Sequence, residues 1–106
     1  MRIEIVTTDD SLASDIMGGY DDTISIPGGA TLSYRGTTIH ESLKFPETLT
    51  FILENVVGPI ASGLVGNWIY EKIKGRAKTA RIERREVRVV REEIIRVIEE
   101  TTVREE

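Results

Sequence analysis

The chain of 106 residues contains no cysteine. That absence excludes disulfides, thiolate metal sites, iron–sulfur clusters and cysteine nucleophiles together. Histidine occurs once, as His40, so neither an HExxH helix nor a multi-histidine metal site can be written from this sequence. No GxSxG elbow is present. The paired glycines Gly18-Gly19 and Gly28-Gly29 do not lead from a strand into a helix with dinucleotide or P-loop spacing, and they read as turns. The first ten residues lack the basic start, apolar run and small-residue cleavage site of a secretory signal, which makes a cytoplasmic address the expectation.

Composition is that of a folded globular chain, with 40% apolar and 30% charged residues. The length suits a single domain spanning 1–106 with one core. Arg, Glu, Ile and Val are abundant while Met and His are scarce, the direction of bias found in heat-adapted proteins. Net charge is −4, which argues against a general nucleic-acid binder. The charge comes in blocks, however. Residues 1–50 carry eight acids against three bases, and residues 71–91 carry nine bases against three acids, a local balance of +6. From Glu92 onward the balance returns to −4.

The order of elements predicts an α+β fold. Ile3 and Ile5 alternate with polar residues from Arg2 to Thr7, the pattern of a strand with one buried face. Asp9 or Asp10 offers a helix N-cap, Leu12, Ile16 and Met17 follow at helical spacing, and Gly18-Gly19 supplies the stop. Thr23–Ile26, Thr31–Tyr34 and Thr37–Ile39 predict a small antiparallel meander, with turns at Pro27-Gly28-Gly29 and Arg35-Gly36. Pro46-Glu47 resembles a helix start, so residues 47–74 predict one helix, kinked or broken at Gly58-Pro59. Within it Val57, Ile60, Ala61, Leu64, Val65, Trp68, Ile69 and Ile73 form a broad apolar stripe, closed by Gly75. Alternation from Lys78 to Val90 predicts a hairpin turning near Arg84-Arg85. The rival is a single long helix from about Thr79, and the β-branched content and Gly75 favour the hairpin. A final helix is expected over 91–102, with Ile94, Val97 and Ile98 inward, Glu92/Arg96 and Glu100/Arg104 paired at i,i+4, and a fraying tail beyond.

Four groups of residues invite a functional reading. His40-Glu41-Ser42 gathers a base, a carboxylate and a hydroxyl, but no partner for a triad or metal site is advertised elsewhere, and a structural or surface histidine is the expectation. Asp9, Asp10, Asp15, Asp21 and Asp22 could ligate a hard cation, yet they lack EF-hand spacing and read better as caps and solvated turns. Arg81, Arg84, Arg85 and Arg88 would lie together on a hairpin and could neutralise phosphates on a membrane or nucleic acid. No aromatic residue is interleaved with them, which argues against RNA recognition. Finally, Gly58, Ser62 and Gly66 recur at four, with Gly63 and Asn67 beside them, a small-residue face that lets another helix approach closely. The same face could instead pack on the chain's own sheet. Val56–Tyr70 is free of charge but shorter than the roughly 20 residues of a membrane span, so insertion is disfavoured.

The Gly-Ala-Ser-rich segment Gly58–Lys74, ending in Trp68 and basic residues and followed by an Arg-rich hairpin, resembles the effector-associated constant components of prokaryotic conflict systems. The similarity covers about residues 50–90, and the Glu-rich final helix departs from it. It implies an accessory adaptor that associates with an effector enzyme or a membrane, and carries over no catalytic residue. The expectation is therefore a non-catalytic interaction or oligomerisation module without cofactor or metal. It would meet a protein partner, itself or another chain, through Gly58, Ser62, Gly63, Gly66 and Asn67. The alternative is an anionic-surface binder using residues 72–91; an enzyme is the third reading.

Overall fold

The computed structural model describes residues 1–19, 21–39 and 46–105. Alternation at Ile3, Ile5 and Thr7 becomes strand β1, Arg2–Thr7, whose inward side chains are buried. It is followed by a short helix α1, Leu12–Met17, ended by Gly18 in the left-handed region at φ 71°, where only glycine sits without strain. The meander appears as β2, Thr23–Ser25, and β3, Thr31–Thr38. β3 does not turn at Arg35-Gly36 as expected. Tyr34 pairs with Phe51 and Gly36 with Thr50, so Arg35 is the extra residue of a bulge in one continuous strand.

The expected helix over 47–74 is corrected in its first part. Glu47–Glu54 is strand β4. Leu49, Phe51 and Leu53 are buried while Thr48, Thr50 and Ile52 are half-buried, a period of two that a helix cannot satisfy. Pro46-Glu47 imitates a helix start, but the β-branched and aromatic run behind it belongs in a sheet. The helix proper, α2, runs Gly58–Ile73, with Pro59 in its first turn where a missing N–H costs little. Then come β5, Ala77–Ile82, β6, Arg85–Val87, and helix α3, Arg91–Glu105. The hairpin is thus present, turning at Glu83-Arg84, one residue earlier than expected. Glu83 occupies the left-handed region at φ 55°. Its backbone N–H donates to the Arg2 carbonyl at 2.8 Å and its carboxylate accepts the Arg2 N–H at 3.1 Å, which ties the turn to β1. At the C-terminus α3 continues beyond Thr102, and the buried Thr101 and Thr102 hydroxyls are satisfied by donating to the carbonyls of Val97 and Ile98.

All six strands join one antiparallel sheet in the order β2-β3-β4-β1-β5-β6. β4 and β5 flank β1 and both oppose it, so they run parallel to each other, and α2 makes the crossover that links them. The helices cover one face of the sheet. Ile3, Ile5, Leu32 and Phe51 meet Ile69 and Ile73 of α2 and Ile16 of α1, each fully buried aliphatic side chain stabilising the fold by about 1.5–3 kcal/mol. Ile94, Val97 and Ile98 of α3 complete the core as expected. The other face, with Glu4, Thr48, Thr50 and Ile52, has no helix on it. Both edge strands are only three residues long, which limits strand addition at the sheet edges.

Helices α2 and α3 meet at Gly66. A Cβ built there would lie 2.6 Å from Ile95 Cγ1 and 2.9 Å from Ile95 Cα, whereas one at Gly63 would meet nothing within 4 Å. Gly66→Ala is therefore expected to destabilise by about 1–3 kcal/mol, the overpacking exceeding the helix-propensity gain. In the unassociated chain, at low protein concentration, Gly63→Ala should stabilise by about 0.5–1 kcal/mol. Urea denaturation of the two variants checks this, and shifts of the same sign would contradict the α2–α3 contact.

Candidate functional site

The small-residue face is largely used within the chain. Ser62 is fully buried and its hydroxyl donates to the Gly58 carbonyl at 2.9 Å, while Gly66 lies under the backbone of Ile95. Of the residues expected to meet a partner helix, Ser62 and Gly66 are buried within the chain, Gly66 against Ile95 of α3. Gly58 starts α2 at φ 81° with open space around it. Gly63 and Asn67 remain outward, Asn67 exposed and Gly63 partly so.

The apolar stripe of α2 divides in the same way. Ala61, Val65, Ile69 and Ile73 are buried, but Val57 is 76% exposed, Ile60 82% and Leu64 49%. A stripe so wide cannot lie against one sheet and one helix, and the positions left over face solvent. Ile60, Leu64, Asn67 and Glu71 recur at three and four, so the outer side of α2 begins apolar and ends polar. Sequence reasoning placed Val57, Ile60 and Leu64 on one broad apolar stripe without dividing it. The charge-free run from Val56 to Tyr70, too long for one buried stripe, is the signal that could have placed them outside.

The basic block does not form one surface. Arg85 pairs with Glu100 of α3, on the helical side of the sheet. Arg88 binds Glu93 at 3.0 Å, and Arg91 reaches Glu71 at 2.8 Å while its guanidinium stands 4.9 Å from the Tyr70 ring centroid. Arg81 projects from the opposite, helix-free face, in register with Glu4 and Glu86, and Arg84 sits in the exposed hairpin turn. The expected cluster of Arg81, Arg84, Arg85 and Arg88 is thus split between two faces and a turn. The acceptors respond: the Arg85 hydrogen bond lowers the Glu100 pKa, the Arg88 backbone N–H lowers that of Glu93, and Lys74, then Arg91, lower that of Glu71. The i,i+4 pairs expected at Glu92/Arg96 and Glu100/Arg104 do not form as ion pairs among the described residues; Glu100 turns to Arg85 instead.

Asp9 and Asp15 belong to a polar latch. The Thr7 hydroxyl, fully buried, donates to the Arg76 carbonyl at 2.6 Å and accepts the Asp9 N–H at 2.9 Å. Arg76 Nε donates to Asp9 at 2.7 Å, and its terminal nitrogen reaches Asp15 at 2.6 Å and Ser11 at 3.2 Å. Asp9 also accepts from the Ser11 N–H and hydroxyl, the helix-entry role foreseen for it, although Ser11 itself is the N-cap. Among the described residues no group of three His, Cys, Asp or Glu could hold a metal ion. His40, Glu41 and Ser42 lie outside the described residues. No described helix is long and apolar enough to cross a membrane. Comparison with protein-family models, with curated proteins and with solved structures finds no match. The fold is described by its class alone, an α+β two-layer sandwich with one bare sheet face.

The latch makes stability depend on acid. The Arg76 guanidinium, with help from Ser11, lowers the Asp9 pKa from 3.8 to about 2. A depressed carboxylate stabilises the fold above its unfolded pKa and loses that contribution as pH falls through the folded one, here between about pH 4 and pH 2. Thermal melts across that window should show a falling midpoint, and Arg76→Gln should flatten the fall and lower the midpoint at neutral pH. An unchanged slope in the variant would remove Asp9 from the account.

Proposed function

We propose that the chain is a non-catalytic interaction module that pairs with a second copy of itself through the outer side of α2. The observation that carries this reading is the exposure of Val57, Ile60 and Leu64 at the N-cap and in the first two turns of one helix. Exposed large aliphatic side chains gathered on one patch mark association surfaces more often than isolated ones do. Gly63, between Ile60 and Leu64 in sequence, has open space beside it, so a second helix backbone can come close there. In an antiparallel crossing whose two-fold axis passes midway between Ile60 and Leu64, Ile60 of one copy faces Leu64 of the other, and the patch is complementary to itself, as a two-fold interface requires. Asn67 and Glu71 would form the polar rim.

The contact differs from the sequence expectation: Gly63 and Asn67 stay in it, while Ser62 and Gly66 leave it. An accessory role, of the kind implied by the resemblance to effector-associated constant components, suits a small module of this type. A cytoplasmic setting remains part of the proposal. The anionic-surface reading loses ground, since Arg85 and Arg88 bind the chain's own carboxylates.

Light scattering after size exclusion tests the proposal directly. The expected result is a dimer mass that persists at high salt, because the contact is apolar. Ile60→Glu combined with Leu64→Glu should yield a monomer with unchanged far-UV circular dichroism, both positions being exposed. A wild-type monomer at every concentration, or a folded variant that keeps the dimer mass, would overturn it.

A further inference from the structure

The helix-free face of the sheet carries an open groove of about 580 Å³ that neither the α2 patch nor the basic hairpin uses. It is lined by Arg2 of β1, Arg35, Gly36 and Thr38 of β3, and Thr50 and Ile52 of β4. Three features of the strands create it. The bulge at Arg35 interrupts the pairing with β4, and bulges commonly re-aim a side chain. Gly36, at φ 135°, places no side chain over Thr50, so the surface is sunken there. β1 and β3 are second neighbours across β4, roughly 9.5 Å apart at the backbone, so two long guanidinium arms can converge on a group between them.

We propose that this groove binds the phosphoryl group of a small ligand, with Arg2 and Arg35 as a paired clamp and the Thr38 and Thr50 hydroxyls as further donors. Guanidinium groups offer planar forked donors that match a phosphoryl oxyanion, and two of them flanking one site supply charge complementarity. Glu4, in register with Thr50, lies 3.5 Å from Arg2 Nε, which steadies that arm and offsets part of its charge. The same face limits what can bind. Glu4 and Glu54 stand on it, so an extended polyanion would cross two carboxylates. Tyr34 and Phe51, with ring centroids 5.5 Å apart, pack with the core, and no stacking platform for bases is presented by the strands around the groove. A small phosphorylated ligand satisfies both limits, with Ile52 as an apolar floor for the remainder of the molecule.

Titration of the full chain with inorganic pyrophosphate, followed by backbone amide resonances, tests the site. Saturable shifts are expected at Gly36, Thr38 and Thr50. Arg2→Gln and Arg35→Gln should each weaken binding by about tenfold, the value of one charge-assisted contact. Arg81→Gln, on the same face but outside the groove, should leave it unchanged. Absence of saturable shifts at those three amides, equal affinity in both clamp variants and wild type, or an equal loss in Arg81→Gln would each overturn the proposal, the last by showing only diffuse attraction to positive charge.

Discussion

The position of β1 between β4 and β5 governs the rest of the molecule. Because β4 and β5 both oppose β1, they run parallel, and no tight turn can join them. The chain must return over the sheet, and α2 does so on the face where Ile3, Ile5 and Phe51 are exposed to it. Sixteen helical residues advance about 24 Å, close to the roughly 26 Å of the eight-residue strand they must retrace. Once α2 lies there, Ala61, Val65, Ile69 and Ile73 face inward, and α3 takes the side that carries Gly66. What is left over is the side with Ile60 and Leu64. The candidate interface is thus a consequence of how many neighbours one crossover helix can have.

Charge follows the same topology. The blocks seen along the sequence find complements in space: Arg76 with Asp9 and Asp15, Arg85 with Glu100, Arg88 with Glu93, Arg91 with Glu71. Most of these pairs are solvent-exposed and each is worth little to stability. Their larger effect is on orientation, since they fix α3 against the hairpin and hold the β1–α1 connection to the segment entering β5. They also consume the positive charge that a polyanion would need.

Much of this architecture was legible, and the failures have local causes. β1, the Gly18 stop, the hairpin and the inward residues of α3 follow from period and cap chemistry, and the structure has them. β4 was hidden by Pro46-Glu47, which is good helix-start chemistry placed before a strand whose alternation of Thr and apolar residues only makes sense once a sheet is there to bury Leu49 and Phe51. At Arg35-Gly36 a turn and a bulge share the same residues, and the choice between them rests on whether β4 continues beside β3. Gly66 announced a close approach; nothing near it in sequence could say that the approaching backbone was Ile95.

The sequence by itself determined the fold class and the kinds and approximate places of most elements. These depend on backbone propensity and on side-chain period, which act over a few residues. Tertiary structure decided which apolar and small residues of α2 are covered, which arginines are neutralised, and that Arg2 and Arg35 flank one groove. Those outcomes join residues tens of positions apart, and periodicity reports that a face will be buried without reporting what buries it.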